Sequence, residues 1–175
     1  LDGLYFAASY NNIVVKTLIK KFKYQPFIKE LSQPLSQLII AHLHSIDNKI
    51  FLEDKENSLL LPVPIHKSKK RWRGFNQAEE ITKNLSIYLG LPLEANNLQK
   101  IKKTKPQAYL KKSERIKNIN GVFKIKNPPQ IQGKRIFLVD DVFTTGSTME
   151  ECARVLKAAG AKKVWGIAIA RELLN

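Results

Sequence analysis

The stretch that most constrains this chain runs Gly133-Lys134-Arg135-Ile136-Phe137-Leu138-Val139-Asp140-Asp141-Val142-Phe143-Thr144-Thr145-Gly146-Ser147-Thr148. A turn leads into four apolar residues, as expected of a strand covered on both faces, and the run stops at two adjacent acids. Ser147 with Glu150 matches a capping box, and Met149, Cys152, Ala153, Leu156 and Ala159 share one helical face until Gly160 ends it. Lys163 to Ala170 then reads as a further buried strand. Strand, helix and strand in this order make a βαβ unit of a parallel sheet, whose ligands sit beyond the carboxyl ends of the strands. The expected fold class is α/β, a Rossmann-like parallel sheet flanked by helices.

Upstream, Ile13, Val14, Leu18, Ile19 and Phe22 recur at spacings of one, three and four between Lys16, Lys20, Lys21 and Lys23, which predicts a basic amphipathic helix. Pro26 suits a first helical turn, and Phe27, Leu31, Leu35, Leu38, Ile39 and Leu43 carry a second helix to about Ile46, with a kink or break at Pro34. Asp47 to Asn57 mixes charges without a period and reads as a surface loop. Leu59 to Val63 reads as the first core strand, stopped by Pro64. Asn76 with Glu79 resembles a second helix cap, and Ala78, Ile81, Leu85 and Tyr88 give a buried stripe before Gly90 and Pro92. Leu98 to Ile101 reads as a short strand and Lys102 to Asn120 as a long, mobile loop. Residues 1–57 are expected to form a helical N-terminal cap or hood, and residues 58–175 the core domain.

With 175 residues the chain is sized for one α/β domain. Its 30 Lys and Arg against 15 Asp and Glu give a net charge of +15, so its field attracts anions: nucleotides, nucleic acid, phosphates or acidic membrane surfaces. The single cysteine, Cys152, leaves no internal disulfide and no Cys-rich zinc cluster within this chain, and a cytoplasmic, reducing location is expected. The apolar runs fall short of the roughly 18 residues of a membrane span. His42 and His44, two apart, point to different helix faces and make a poor metal pair. Cys152 belongs to an apolar helical face and reads as core, not nucleophile.

The acids and the loop after them carry the sharpest chemistry. Backbone N–H groups and hydroxyls of Thr144 to Thr148 would gather at the positive end of a helix dipole, which suits a phosphate dianion. Asp140 and Asp141 would accept hydrogen bonds from two vicinal hydroxyls, and Gly146 permits close backbone approach or a positive φ. The plainer alternative makes the acids turn residues and Ser147 a simple cap. A second basic stretch, Lys67-Ser68-Lys69-Lys70-Arg71-Trp72-Arg73, holds five cations and no acid, and a guanidinium can donate two parallel hydrogen bonds to a phosphate. His66 beside it either touches a ligand or faces solvent. Lys100 to Lys117 holds eight more cations and one acid, Glu114. Trp72 and Tyr109 among these cations are placed to stack on bases.

The segment around Asp140-Asp141 resembles the phosphoribosyl pyrophosphate (PRPP) motif of type I phosphoribosyltransferases. Val63-Pro64 through Arg73-Gly74-Phe75-Asn76-Gln77 resembles more particularly the ComF-like competence proteins of that superfamily. Phe22-Lys23-Tyr24, Thr104-Lys105-Pro106-Gln107, Arg115-Ile116-Lys117-Asn118 and Gly121-Val122-Phe123 extend the likeness over most of the chain. The resemblance implies that Asp140 and Asp141 hold the ribose 2′ and 3′ hydroxyls, and that Val142, Thr144, Thr145, Gly146, Ser147 and Thr148 cradle the 5′-phosphate. It implies that Lys70, Arg71 and Arg73 grip pyrophosphate, with Arg73 and the two acids as the catalytic set. A mobile loop bearing Lys102, Lys103, Lys105 and Arg115 would close over PRPP. Mg²⁺ would arrive with PRPP and meet the acids indirectly. Partners implied are PRPP or a related phosphorylated ribose and, on a second reading, single-stranded DNA and the competence machinery, with the PRPP site acting as a sensor. ComF-like proteins typically begin with a four-cysteine zinc segment, and nothing upstream of Tyr5 supplies one. Leu1 in place of Met suggests a trimmed segment, the alternative being a member without that module.

Overall fold

A computed structural model describes residues 1–46, 49–104 and 118–172, apart from the side chain of Leu52. Four strands form the main sheet: β1 (Gly3–Ser9), β2 (Ser58–Pro62), β5 (Arg135–Phe143) and β6 (Lys163–Arg171), in the order β1-β6-β5-β2 and all parallel. A short antiparallel ribbon of β3 (Leu98–Lys100) and β4 (Phe123–Ile125) lies apart from it. Among the described residues the strands are accompanied by the helices α1 (Ile13–Lys23), α2 (Ser32–Ser45), α3 (Lys49–Leu52), α4 (Lys67–Arg73), α5 (Gln77–Leu89) and α6 (Ser147–Ala158). Among the described residues no helix is long and apolar enough to cross a membrane.

Parallel strands need crossovers, and the crossover helices cover both faces of the sheet. Alternation along β5 sends Phe137 and Val139 into one core, with Phe22, Leu35, Leu43, Phe51 and Leu85, and sends Ile136 and Leu138 into another, with Cys152, Leu156 and Phe123. The continuous apolar sequence of β5 and β6 follows from burial on both sides.

Several expectations change in the structure. Residues 3–9, within the stretch read as helical, form β1, and Tyr5 lies opposite Ile167 of β6. This edge strand is half-buried throughout, so it lacks the apolar density of a central strand, and its partner lies at the far end of the sequence. Gly3 permits the pairing, because a Cβ there would sit 3.0 Å from the Trp165 ring. Helix α1 buries Val15, Ile19 and Phe22, while Ile13 and Val14 in its first turn are exposed. Helix α2 starts at Ser32, after a 3-10 turn at Lys29–Leu31, and Pro34 falls in its first turn, where no intrahelical N–H is lost. The stretch read as the loop 47–57 contains α3, whose Phe51 is fully buried against Phe137, ring centroids 4.6 Å apart. Asn76 holds the N-cap position of α5, as expected, but makes no side-chain cap bond: its amide N–H donates to the carbonyl of Val63 at 3.1 Å, which ties α5 to the segment after β2. Of the basic loop, residues 105–117, with Lys105, Tyr109 and Arg115, lie outside the described residues.

Phe137 stands between Phe51 and Trp165 (5.3 Å, stacked) with no exposed surface. Phe137→Ala should therefore lower the unfolding free energy by about 3–5 kcal/mol, read as a fall in denaturant midpoint at constant slope. A loss below about 1 kcal/mol would show that this core collapses around the gap.

Candidate functional site

The strands are parallel, so the carboxyl ends of β2 and β5 meet at one edge of the sheet, and the segments that follow them converge there. Strand β5 continues to Phe143, so the two acids lie within it, Asp140 opposite Ala168 of β6. Alternation then sends them to opposite faces. Asp140, in phase with Ile136 and Leu138, faces the loop into α6 and lines a cavity of about 30 Å³ with Thr144, Thr145, Gly146, Ser147 and Thr148. Asp141, in phase with Phe137 and Val139, turns to α1, where Lys23 Nζ donates to its Oδ1 at 2.8 Å. Asp140 Oδ1 accepts the backbone N–H of Asp141 at 2.8 Å.

The loop depends on Gly146. It caps α6 at φ 78°, and a Cβ there would fall 2.6 Å from Phe143 Cζ, so a larger residue would push the loop off the strand end. The expected capping box is absent: Gly146, not Ser147, is the cap, and Glu150 instead pairs with the amino group of Leu1 at 2.7 Å. The Ser147 hydroxyl meets that of Thr145 at 2.7 Å. Backbone donors of the first turn of α6 and a cluster of hydroxyls thus surround the cavity beside Asp140.

The five-cation stretch after β2 is a helix, α4. His66 caps it, accepting the Ser68 N–H at 3.3 Å, and Gly74 ends it at φ 87°. Helical spacing divides the cations. Lys70 turns to Glu79 (2.6 Å), and Arg71 is exposed. Arg73 is 5% exposed, with Nη1 donating to Gln77 Oε1 and Nε lacking any partner among the described residues. Its guanidinium carbon lies 5.9 Å from the Phe27 ring centroid. Gln77 in turn donates to the Phe22 carbonyl at 2.9 Å, which joins α5 to the last turn of α1. Lys69, one turn before Arg73, shares its field. Loss of water and the charges of Arg73 and Lys23 push Lys69 down to about 8.

Two acids thus meet four cations: Lys23, Lys69, Arg73 and Lys100. Burial and the charge of Asp141 push Asp140 up to about 7, against the pull of Lys23. Burial lowers Lys23, but Asp141 and Asp140 outweigh it and hold the ammonium above its ordinary value. Lys100 Nζ donates to Thr104 Oγ1 at 2.8 Å, and burial lowers its pKa against the pull of Cys152 and Asp140. Lys102 and Lys103 are exposed. Cys152 is buried in the core, as its helical face predicts. Sequence reasoning missed Lys23 and Lys69 as site residues. Lys23 reads as one of several solvent lysines on an amphipathic helix, and its nearest signal is its place inside the Phe22-Lys23-Tyr24 match, directly after the buried Phe22.

Residues 73–171 match the family described as phosphoribosyl transferase domain. The chain belongs to that family. The chain is 32% identical to Competence protein F of Haemophilus influenzae, over 86% of this chain and 66% of that one. It is 30% identical to DNA utilization protein YhgH of Salmonella typhimurium, over 79% of this chain and 62% of that one. The chain therefore spans less than two thirds of these relatives. The structure is similar to a purine phosphoribosyltransferase from Pyrococcus horikoshii, with a TM-score of 0.44 and 15% identity over 99% of this chain and 90% of that one.

The charge state of Asp140 gives a test of the site's electrostatics. Between the free-acid value of 3.8 and about 7, the folded domain keeps a proton that the unfolded chain has lost, so this group costs stability as pH rises through that window. Asp140→Asn removes the cost. Its melting temperature should exceed that of the parent by a few degrees at about pH 8, with the gap closing near about pH 4. An equal gap at both would show that Asp140 ionises normally.

Proposed function

We propose that this phosphoribosyltransferase-family domain binds PRPP and transfers its phosphoribosyl group to an acceptor with release of pyrophosphate. The observation that carries this reading is the turn from β5 to α6. It sets a carboxylate, a glycine-shaped loop and the donors of a helix N-terminus around one cavity, as a phosphorylated sugar requires. In this reading Val142 and Thr144 to Thr148 hold the 5′-phosphate, and Asp140 and Asp141 accept hydrogen bonds from the ribose hydroxyls. Arg73, buried under α4, and Lys69, exposed one turn before it, face the pyrophosphate, with Lys70 and Arg71 farther round the same helix.

Two hard carboxylate oxygens fit Mg²⁺ shared with ligand phosphates better than an all-protein cage, and bound with PRPP the ion supplies charge neutralisation on pyrophosphate. In the transfer, the C1–O bond to pyrophosphate breaks with its electron pair leaving on oxygen, while a lone pair of the acceptor forms the new bond to C1. Positive charge develops on the ribose ring and negative charge on the leaving group. The chain's part is positioning: the acids fix the ring, and Arg73 and Lys69 meet the growing negative charge. Titration calorimetry with PRPP and Mg²⁺ should show binding by the parent and at least about tenfold weaker binding by folded Asp141→Asn. Unchanged affinity would remove Asp141 from the sugar site. Pyrophosphate release with pooled nucleobases then separates a transferase from a sensor.

A second reading, a PRPP or nucleotide sensor that holds single-stranded DNA, is favoured by the net charge of +15 and by relatives named for competence and DNA utilization. Phosphate neutralisation gives affinity that falls with salt. Lys102→Gln with Lys103→Gln should reduce the slope of log affinity against log salt by about one to two. An unchanged slope would take this segment out of the DNA contact.

A further inference from the structure

We propose that Lys23 determines ligand selectivity: it closes the sugar site of the unliganded domain on Asp141 and yields only to a ligand that brings an anion of its own, so the diphosphate at C1 licenses binding. This inference rests on the PRPP reading above. Lys23 Nζ sits 2.8 Å from Asp141 Oδ1, and the two side chains keep 28% and 5% of their exposure. A ribose hydroxyl that seeks Asp141 Oδ1 therefore competes with an ammonium in a site with little water.

Lys23 is not free to withdraw. It lies in the last turn of α1, whose Phe22 carbonyl accepts from Gln77 at 2.9 Å and whose Phe22 ring packs 5.5 Å from Phe75. An ammonium that lost its carboxylate there would remain half-dry within the field of another charge of its own sign, Lys69. Leaving a largely buried charge unpaired is strongly unfavourable, so the diol gains Asp141 only when Lys23 is paired anew. Among the described residues, the other acid whose charge acts on it is Asp140, on the opposite side of β5.

A 5′-phosphate does not solve this, because its cradle lies with Asp140 on the α6 face of the sheet, away from Lys23. A second anion carried on C1 does. It would also meet Arg73, whose buried Nε has no partner among the described residues. One ion pair thereby couples occupancy of the diol site to the presence of the leaving group.

The test compares PRPP with ribose 5-phosphate by calorimetry in Mg²⁺, for the parent, Lys23→Met, Lys23→Gln and Lys23→Arg, each checked for folding by near-UV circular dichroism. The parent should favour PRPP strongly. That preference should shrink by about tenfold or more in Lys23→Met and Lys23→Gln and persist in Lys23→Arg. A neutral variant that weakens both ligands equally would overturn the inference and make Lys23 a structural contact. A measurement on the parent needs no variant: inorganic pyrophosphate should tighten ribose 5-phosphate binding by re-pairing Lys23, and independence or competition would overturn the proposal. A parent that binds PRPP without preference over ribose 5-phosphate sinks the inference alone. A parent that binds neither sinks the PRPP reading, and the inference with it.

Discussion

Strand β5 is paired on both sides, with β6 and β2, and covered on both faces, and that confinement organises the rest of the molecule. A parallel central strand must be apolar along its length, since no residue between Ile136 and Val139 reaches water. Polar function can enter only where the strand leaves the sheet. Its neighbours run the same way, so the exits of β2 and β5 share one edge, and α4 and α6 begin close to the acids. The site is a consequence of parallel pairing before any ligand is considered.

At that edge the domain accepts an electrostatic arrangement that a purely stable protein would avoid. Two adjacent carboxyls are drawn out of water, and burial, with the charge of Asp141 beside it, pushes Asp140 up to about 7. Four cations gather around them, and Lys69 falls to about 8 in their company. Excess positive charge without protein counter-ions is costly where water is scarce, and a polyanionic ligand relieves it. Some other cations work differently. Lys70 and Lys83 pair with Glu79 and Glu80 at exposed positions, where such contacts contribute little. The net charge of +15 thus describes the long-range field, while the local imbalance at the strand exits decides what the site holds.

What the sequence disclosed follows the same physics. The βαβ unit and α5 were legible because long apolar periods and terminal glycines are strong local signals. β1 was not, because an edge strand is only half-buried and its pairing depends on Trp165 and Ile167 far along the chain. Helix α3 spans a single turn, too short for a period to show, and α4 hid behind its charge run, although His66 and Gly74 bound it. Neither capping box forms its side-chain bonds: at α6 Gly146 takes the cap position at positive φ, and at α5 Asn76 holds the cap position while its side chain turns to the Val63 carbonyl. The acids and the phosphate loop could be read as an ordered string, but Lys23 could not, because its partner lies 118 residues away.

The family match opens at Arg73, so it spans the phosphate loop and both acids but neither α1 nor Lys23. The two cores divide along the same line. One layer, under α1, α2 and α5, abuts the face that carries Asp141, and the other, under α6 and the β3–β4 ribbon, abuts the face that carries Asp140. Each acid is therefore set by a different side of the sheet: Asp140 by the loop that shapes the cavity, Asp141 by the helix that pairs with it. A sugar that engages both acids has to satisfy both layers at once. In a strand with alternating side chains, two neighbouring carboxylates cannot serve one ligand unless it spans the strand's end, and this geometry joins the N-terminal helix to the chemistry of the matched core.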